Sequence, residues 1–289
     1  YKTGGITSDR VAIDVDKKFN FFNPKAGITY KLNDLNNFYL SYARATREPN
    51  RDDFENGINE AEKLNDFELG WRYKSGNTKI NTNVYYMAYK DQLVLTGALD
   101  DVGSPIRATS GKSYRLGLEI DAFIPVSDKF IIQPNIAISS NKNVDFNAPI
   151  NGSITNLGKT DISFSPNFIA GNAFIYSPSN NFQVSLLSKF VGEQVMGNLG
   201  SIVSSNDVLE SYFVNDLNAT YVINTTKIFE SITLSALINN IFNTEYISNG
   251  YYYTYDDNWS SPTEITTVDG SGYYPQATRN FLVGITLKF

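Results

Sequence analysis

The 289-residue chain carries 24 Lys and Arg against 30 Asp and Glu, a net charge of −6, so it offers no basic face for a phosphate backbone and nucleic acid is not expected as a partner. It has no His and no Cys, which removes the usual serine triad, imidazole and thiolate metal sites, and any disulfide framework. Charged residues are only 19% while aromatics reach 14%, nearly all of them Tyr (19) and Phe (19), a composition that leans to β structure.

In chain order, period-two alternation predicts strands near Phe21 to Leu32, Leu35 to Ala45, Leu64 to Lys74, Thr78 to Val94, Lys112 to Val126, Lys129 to Ser140, Asp161 to Tyr176, Phe182 to Gly192, Ser211 to Ile223, Ser231 to Phe242 and Thr278 to Phe289. Many of these roughly eleven strands exceed the usual 5 to 6 residues, and they suit the roughly 9 to 11 residues that a tilted strand needs to cross a bilayer. In the third, Phe67, Leu69, Trp71 and Tyr73 share one face and Glu68, Gly70, Arg72 and Lys74 the other. In the fifth, Tyr114, Leu116, Leu118, Ile120, Ala122, Ile124 and Val126 oppose Arg115, Gly117, Glu119 and Asp121. The chain ends on the same pattern, with Phe281, Val283, Ile285, Leu287 and Phe289 in one row. No run approaches the roughly 18 apolar residues of a membrane helix, and no signal-peptide pattern opens the chain.

The connections alternate between tight turns and polar loops of roughly 17 to 35 residues, against a median near 4 to 6 in compact soluble domains. The long ones cover Thr46 to Lys63, Leu95 to Gly111, Asn141 to Thr160, Glu193 to Glu210 and Asn243 to Ala277. An antiparallel up-and-down meander puts all tight turns at one end and all long loops at the other. That asymmetry belongs to transmembrane β-barrels of the outer membrane, whose apolar row meets lipid and whose polar row faces a wet lumen. A soluble β-sandwich or β-helix with long loops is the alternative. On the barrel reading, Tyr30, Tyr42, Tyr73, Tyr85, Tyr86, Tyr89, Tyr176 and Tyr221 would form interfacial girdles. Asn172 and Asn215 interrupt apolar rows, which predicts a bulge, a register shift or a place near the interface.

Three stretches carry a family resemblance. LINNIFNTEY with RNFLVGITLKF resembles the close of a TonB-dependent outer-membrane receptor, with Asn240, Phe242, Asn243, Tyr246, Arg279, Asn280, Phe281, Gly284 and Phe289 filling the pattern. FYLSYARATREPN is similar to the family's "Y-x-S-Y-A-x-x-x-R-x-P" hairpin end through Tyr39, Ser41, Tyr42, Ala43, Arg47 and Pro49, and EKLNDFELGWRY resembles the strand that follows. The wording looks most like receptors of the Bacteroidetes group. The resemblance implies a barrel of about 22 strands filled by a plug that carries a TonB box. It therefore leads us to expect residues 20–289 to be the C-terminal part of such a barrel and 1–19 an extracellular loop or the end of a preceding strand. It also implies outer-membrane lipid, the TonB complex through a plug, the barrel-assembly machinery and a surface lipoprotein as partners, with no cofactor and no enzymatic activity. In family members the terminal aromatic, here Phe289 with Phe281, looks like the signal read by the barrel-assembly machinery.

Two clusters are candidates for ligand contact. Tyr251, Tyr252, Tyr253, Tyr255 and Trp259 could stack on a flat ligand, or could be loop packing and upper girdle. Arg44, Arg47 and Arg51 could grip an anionic ferric complex, or could belong to a solvated loop network. Calcium at Asp100 and Asp101, or at Asp256 and Asp257, lacks the spacing of alternating oxygen ligands. Asn151-Gly152-Ser153 fits a glycosylation pattern. Carboxylate dyads and glycine-rich phosphate loops are not found. The resemblance implies active import of a ferric siderophore or similar metal complex. An oligosaccharide or peptide importer of the starch-utilisation type and a passive porin or structural protein are the alternatives.

Overall fold

The computed structural model describes residues 2–6, 12–55, 57–99, 105–199, 207–225, 228–261 and 263–289. The first ten strands are β1 (Lys2–Ile6), β2 (Ala12–Asp16), β3 (Lys25–Lys31), β4 (Asn36–Arg47), β5 (Glu62–Ser75), β6 (Thr78–Lys90), β7 (Leu93–Leu99), β8 (Pro105–Thr109), β9 (Lys112–Ser127) and β10 (Phe130–Ile150). The rest are β11 (Ser153–Asp161), β12 (Phe168–Ser179), β13 (Phe182–Val191), β14 (Gln194–Val195), β15 (Val208–Leu209), β16 (Tyr212–Asn224), β17 (Ser231–Asn239), β18 (Ile247–Asp257), β19 (Thr266–Pro275) and β20 (Asn280–Lys288). One short helix, α1 (Arg51–Glu55), follows β4. Among the described residues no helix is long and apolar enough to cross a membrane, which says nothing of a β-barrel.

Eleven strands form one continuous antiparallel path in the order β3, β4, β5, β6, β9, β10, β12, β13, β16, β17, β20, and β11 adds to the long arm of β10. Each predicted strand has its counterpart on this path. The sheet is an open part of a barrel, with β3 and β20 at its edges. Pairing neighbours in chain order leaves the backbone donors and acceptors of the inner strands satisfied by the sheet itself.

The register fixes two faces. Leu40, Leu69, Val84 and Leu118 stand opposite one another across β4, β5, β6 and β9, and Ile138 of β10 extends the row. Phe67 and Leu69 are exposed mid-strand, as a face that meets something other than water would be. On the opposite face Tyr39 donates its hydroxyl to Asn83 Oδ1 (3.1 Å), Ser41 donates to Glu68 Oε2 (3.2 Å) and Asn81 Nδ2 donates to Asp121 Oδ2 (2.8 Å). The Arg72 guanidinium lies 4.7 Å from the centre of the Tyr39 ring.

Glycine has a specific place in this polar face. Tyr39 pairs with Gly70 and lays its ring over it, so that an added Cβ would stand 1.9 Å from Tyr39 Cε1. Tyr85 covers Gly117 in the same way, at 2.4 Å from its hydroxyl oxygen. A large ring on one strand thus takes the space that the missing side chain on the next leaves open. This corrects part of the girdle expectation: alternation puts Tyr85 and Tyr89 on the polar face, while Tyr42 and Tyr86 lie in the apolar one with Phe67.

Asn172 and Asn215 cause neither bulge nor register shift. Asn172, Ser188 and Asn215 stand opposite one another across β12, β13 and β16 in unbroken register, and Ser188 Oγ donates to Asn215 Oδ1 at 2.6 Å. All three lie three or four residues from the long-loop ends of their strands, so of the three expectations the place near the interface is the one that fits.

The long loops are folded rather than irregular. β7 pairs with β8, β10 with β11, β14 with β15 and β18 with β19, all as antiparallel ribbons beyond the sheet. The turn between β10 and β11 is Asn151-Gly152, with φ of 49° and 73°, the left-handed pair that a two-residue hairpin needs. Ribbon β1–β2 stands apart from the main sheet within the first 19 residues.

Replacing Gly70 by Val should destabilise the sheet by about 1–3 kcal/mol through overpacking against Tyr39. Adding Tyr39→Ala should recover part of that loss. Urea titration of the folded protein in detergent measures both, and strictly additive effects would show that the ring and the glycine do not share that space.

Candidate ligand-binding face and loop cap

The ribbons meet in a small core of their own. Val94 of β7, Phe146 and Ala148 of β10, Met196 and Leu199, Leu209 of β15 and Tyr252 of β18 form one buried apolar cluster, with Leu157 and Ile247 against it. Asn198, 1% exposed, stitches the elements around that cluster. Its Nδ2 donates to the Leu95 carbonyl (2.9 Å) and to Ser163 Oγ (3.2 Å), and its Oδ1 accepts from the Ser163 amide (3.2 Å) and from Asn143 Nδ2 (3.4 Å). A polar residue survives in this core because its hydrogen-bonding capacity is met there.

A second tie joins two hairpin tips. The Asn151 amide donates to Thr267 Oγ1 (2.7 Å), the Thr267 amide to Asn151 Oδ1 (2.8 Å), the Gly152 amide to Asp256 Oδ2 (2.8 Å) and Thr267 Oγ1 to Asp256 Oδ1 (2.6 Å). Both Asp256 oxygens are therefore taken by the protein. Asp257 Oδ1 accepts from the amides of Trp259 (3.1 Å) and Ser260 (3.0 Å). Hydrogen bonds from Ser260, first its side chain and then its backbone, hold the Asp257 carboxyl below its ordinary range. Asp100 and Asp101 lie outside the described residues.

The predicted aromatic cluster divides in two. Along β18, Gly250, Tyr252 and Thr254 turn into the cap, while Tyr251 and Tyr255 are exposed. Tyr252 is thus core, as the packing reading held. The other row is an aromatic ladder: Tyr251 stacks on Tyr253 with ring centroids 6.3 Å apart and contacts Tyr274 at 6.0 Å, and Tyr255 and Trp259 lie 5.7 Å apart and 4° from parallel. Gly270 and Gly272 on β19 leave the room over which Tyr253 and Tyr251 lie. The turn capped by Asp257 brings Trp259, 69% exposed, back onto Tyr255.

The three arginines do not come together. Arg44 continues the apolar row of Phe38, Leu40 and Tyr42 and lines a cleft with Phe19, Phe21 and Thr46. Arg47, one strand residue out of phase with it, pairs with Glu62 at 3.4 Å. Arg51 pairs with Glu55 across one turn of α1 at 2.6 Å. That helix is capped reciprocally, the Asp53 amide donating to Asn50 Oδ1 and the Asn50 amide to Asp53 Oδ2, both at 2.9 Å. This arrangement is closer to the loop network than to a single anion grip.

A cleft of about 580 Å³ that the sequence did not single out opens beside the ladder, lined by Tyr212, Tyr246, Tyr273, Glu210, Glu245 and Gln276 among others. Tyr212 and Tyr246 stand 4.6 Å apart at its wall. Its residues come from the end of the Glu193 to Glu210 loop and from both ends of the Asn243 to Ala277 loop, so no local pattern marks it. Phe281 is exposed near the long-loop end of the edge strand, and Phe289 is exposed just beyond its opposite end, where it contacts Phe229 at 4.9 Å.

Comparison with known proteins places this geometry. The family model described as "TonB dependent receptor-like, beta-barrel" matches residues 2–241. The chain belongs to the TonB-dependent receptor β-barrel family. Its members are outer-membrane transporters and receptors rather than enzymes, so the apolar row faces lipid and the polar row the barrel lumen. Among solved structures, the ferric-catecholate import receptor Fiu from K12 E. coli has a TM-score of 0.69 at 16% identity, covering 98% of this chain and 38% of Fiu. The siderophore receptor PiuA from Acinetobacter baumannii has a TM-score of 0.67 at 16% identity, covering 97% of this chain and 38% of PiuA. The copper transporter OprC has a TM-score of 0.64 at 17% identity, covering 92% of this chain and 39% of OprC. The chain thus spans about two fifths of these proteins, and at such identities the likeness speaks for the fold. A comparison with curated protein sequences finds no match.

Replacing Asn198 by Ala should strand several buried polar groups and loosen the cap by about 1–3 kcal/mol. Hydrogen exchange should then rise in β7 and around Ser163 while the strands below keep their protection. Unchanged exchange in those segments would show that Asn198 does not hold the cap.

Proposed function

We propose that this chain forms the C-terminal wall and extracellular cap of a TonB-dependent active importer for a scarce ligand, with a ferric siderophore or similar metal complex as the substrate class. The observation that carries the reading is the exposed ladder Tyr274, Tyr251, Tyr253, Tyr255 and Trp259, held on a ribbon that the Asp256 clasp and the cap core fix in place. Rigid aromatic rings give a flat ligand large contact area at small entropic cost. Residues 20–289 supply the barrel and its loops, and residues 1–19 an extracellular loop or the end of a preceding strand, a reading that the pairing of β1 with β2 supports. TonB acts through a plug, a surface lipoprotein can cover the ladder, and Phe289 with Phe281 is the signal for barrel assembly.

A starch-utilisation type of importer is the second reading, because a parallel Tyr and Trp pair also suits a sugar ring. Expression separates the two: induction under iron limitation supports the first, and induction by a glycan alone overturns it. Uptake that survives in a TonB-deficient strain would instead mean a passive porin. In the intact receptor, Tyr255→Ala or Trp259→Ala should each weaken ligand binding by roughly 2- to 10-fold, from about 0.5–1.5 kcal/mol per aromatic contact. Binding unaffected by both substitutions would remove the ladder from the site.

A further inference from the structure

Asp256 and Asp257, set aside as calcium ligands for want of spacing, accept hydrogen bonds from the protein, yet two carboxylates nearby carry unpartnered oxygens. Asp207, just before β15, is 0% exposed, and neither of its carboxylate oxygens has a hydrogen-bond partner among the described residues. Asp269 on β19 has a buried, unpartnered Oδ2. The Tyr252 hydroxyl is also buried and unpartnered, on a side chain only 9% exposed.

These groups converge. Tyr252 and Asp207 flank the same glycine: a Cβ added to Gly197 would stand 2.8 Å from Tyr252 Cδ1 and 3.6 Å from Asp207 Oδ2. Asp269 pairs with Thr254, two residues along β18 from Tyr252 and on the same inward face. No Lys or Arg forms an ion pair with either carboxylate among the described residues, whereas the buried Asp53 of α1 has Arg107 at 3.6 Å.

We infer that Asp207, Asp269 and the Tyr252 hydroxyl hold a divalent cation of the calcium class inside the extracellular cap. A carboxylate out of water without counter-charge or donor is strongly disfavoured, and two of them side by side more so. One dipositive ion neutralises both. All three donors are hard oxygens and the chain has neither His nor Cys, which favours calcium over zinc or copper. No third carboxylate joins them among the described residues, so backbone carbonyls and water complete the shell. Burial, with the Asp269 charge beside it, pushes the Asp207 carboxyl up to about 6, and burial with both carboxylates pushes the Tyr252 hydroxyl well above its ordinary value. The ion would tie the segment before β15 to β18 and β19, on the ribbon whose opposite face carries the aromatic ladder.

Calorimetric titration of the full-length protein in detergent with calcium chloride tests this. Asp207→Asn and Asp269→Asn should each lower calcium affinity at least tenfold, and Tyr252→Phe should lower it less. Asp34→Asn, in the tight turn between β3 and β4, should leave it unchanged, because that exposed carboxylate pairs with Lys31 away from the cap. With a chelator present, Asp207→Asn should melt no lower than the native protein, since a buried charge is gone. With calcium, the native protein should melt higher and the variant should gain nothing. Calcium binding untouched by both Asp substitutions, or a melting temperature indifferent to calcium, would overturn the proposal and leave the two carboxylates sharing a proton instead.

Discussion

Inside a bilayer a backbone amide has no water to turn to, and each of these strands must therefore find its partners in its neighbours. The unbroken antiparallel path from β3 to β20 is the answer to that constraint, and most of the fold depends on it. Because the ladder fixes a side-chain period of two, it also separates the row of Leu40, Leu69, Val84 and Leu118 from the row of Glu68, Asn83 and Glu119. The tyrosines laid over Gly70 and Gly117 sit on the polar row, where a ring and a hydroxyl can both be accommodated in a wet interior.

Above the sheet the constraint is lifted, and water can satisfy a loop. The connections nonetheless build a second, smaller core around Phe146, Leu209 and Tyr252, with Asn198 meeting the polar groups that this burial would strand. The cap matters for function because it gives the aromatic ladder a fixed base. Tyr252 and its neighbours Tyr251 and Tyr253 illustrate the division: adjacent residues on one ribbon, the first serving the core and the others facing out.

The sequence showed the strands of the sheet plainly because a half-buried strand in lipid has to alternate, and eleven did. It showed the cap poorly. β11 and β19 are short on apolar residues and rich in Thr, Gly and other polar residues, so they read as polar loops, while the apolar start of β7 read as the end of the preceding strand, and Asn151-Gly152 carried a hairpin signal that a glycosylation pattern obscured. The ladder was legible as a run of tyrosines, but only pairing with Gly270 and Gly272 tells which of them face out. Asp207 and Asp269 are far apart in the chain and have no motif, and their meeting depends on packing between two loops. The Arg44, Arg47 and Arg51 run looked like one site because it is contiguous, yet alternation and the α1 turn send the three side chains apart.

The central claim is that one row of each strand meets lipid and the other meets water. The natural absence of cysteine makes β9 a clean place to measure it. Single cysteines at Leu116, Leu118 and Ile120 in the receptor embedded in the outer membrane should resist a water-soluble maleimide, and those at Arg115, Glu119 and Asp121 should react. Reaction along the whole strand without that alternation would contradict the account.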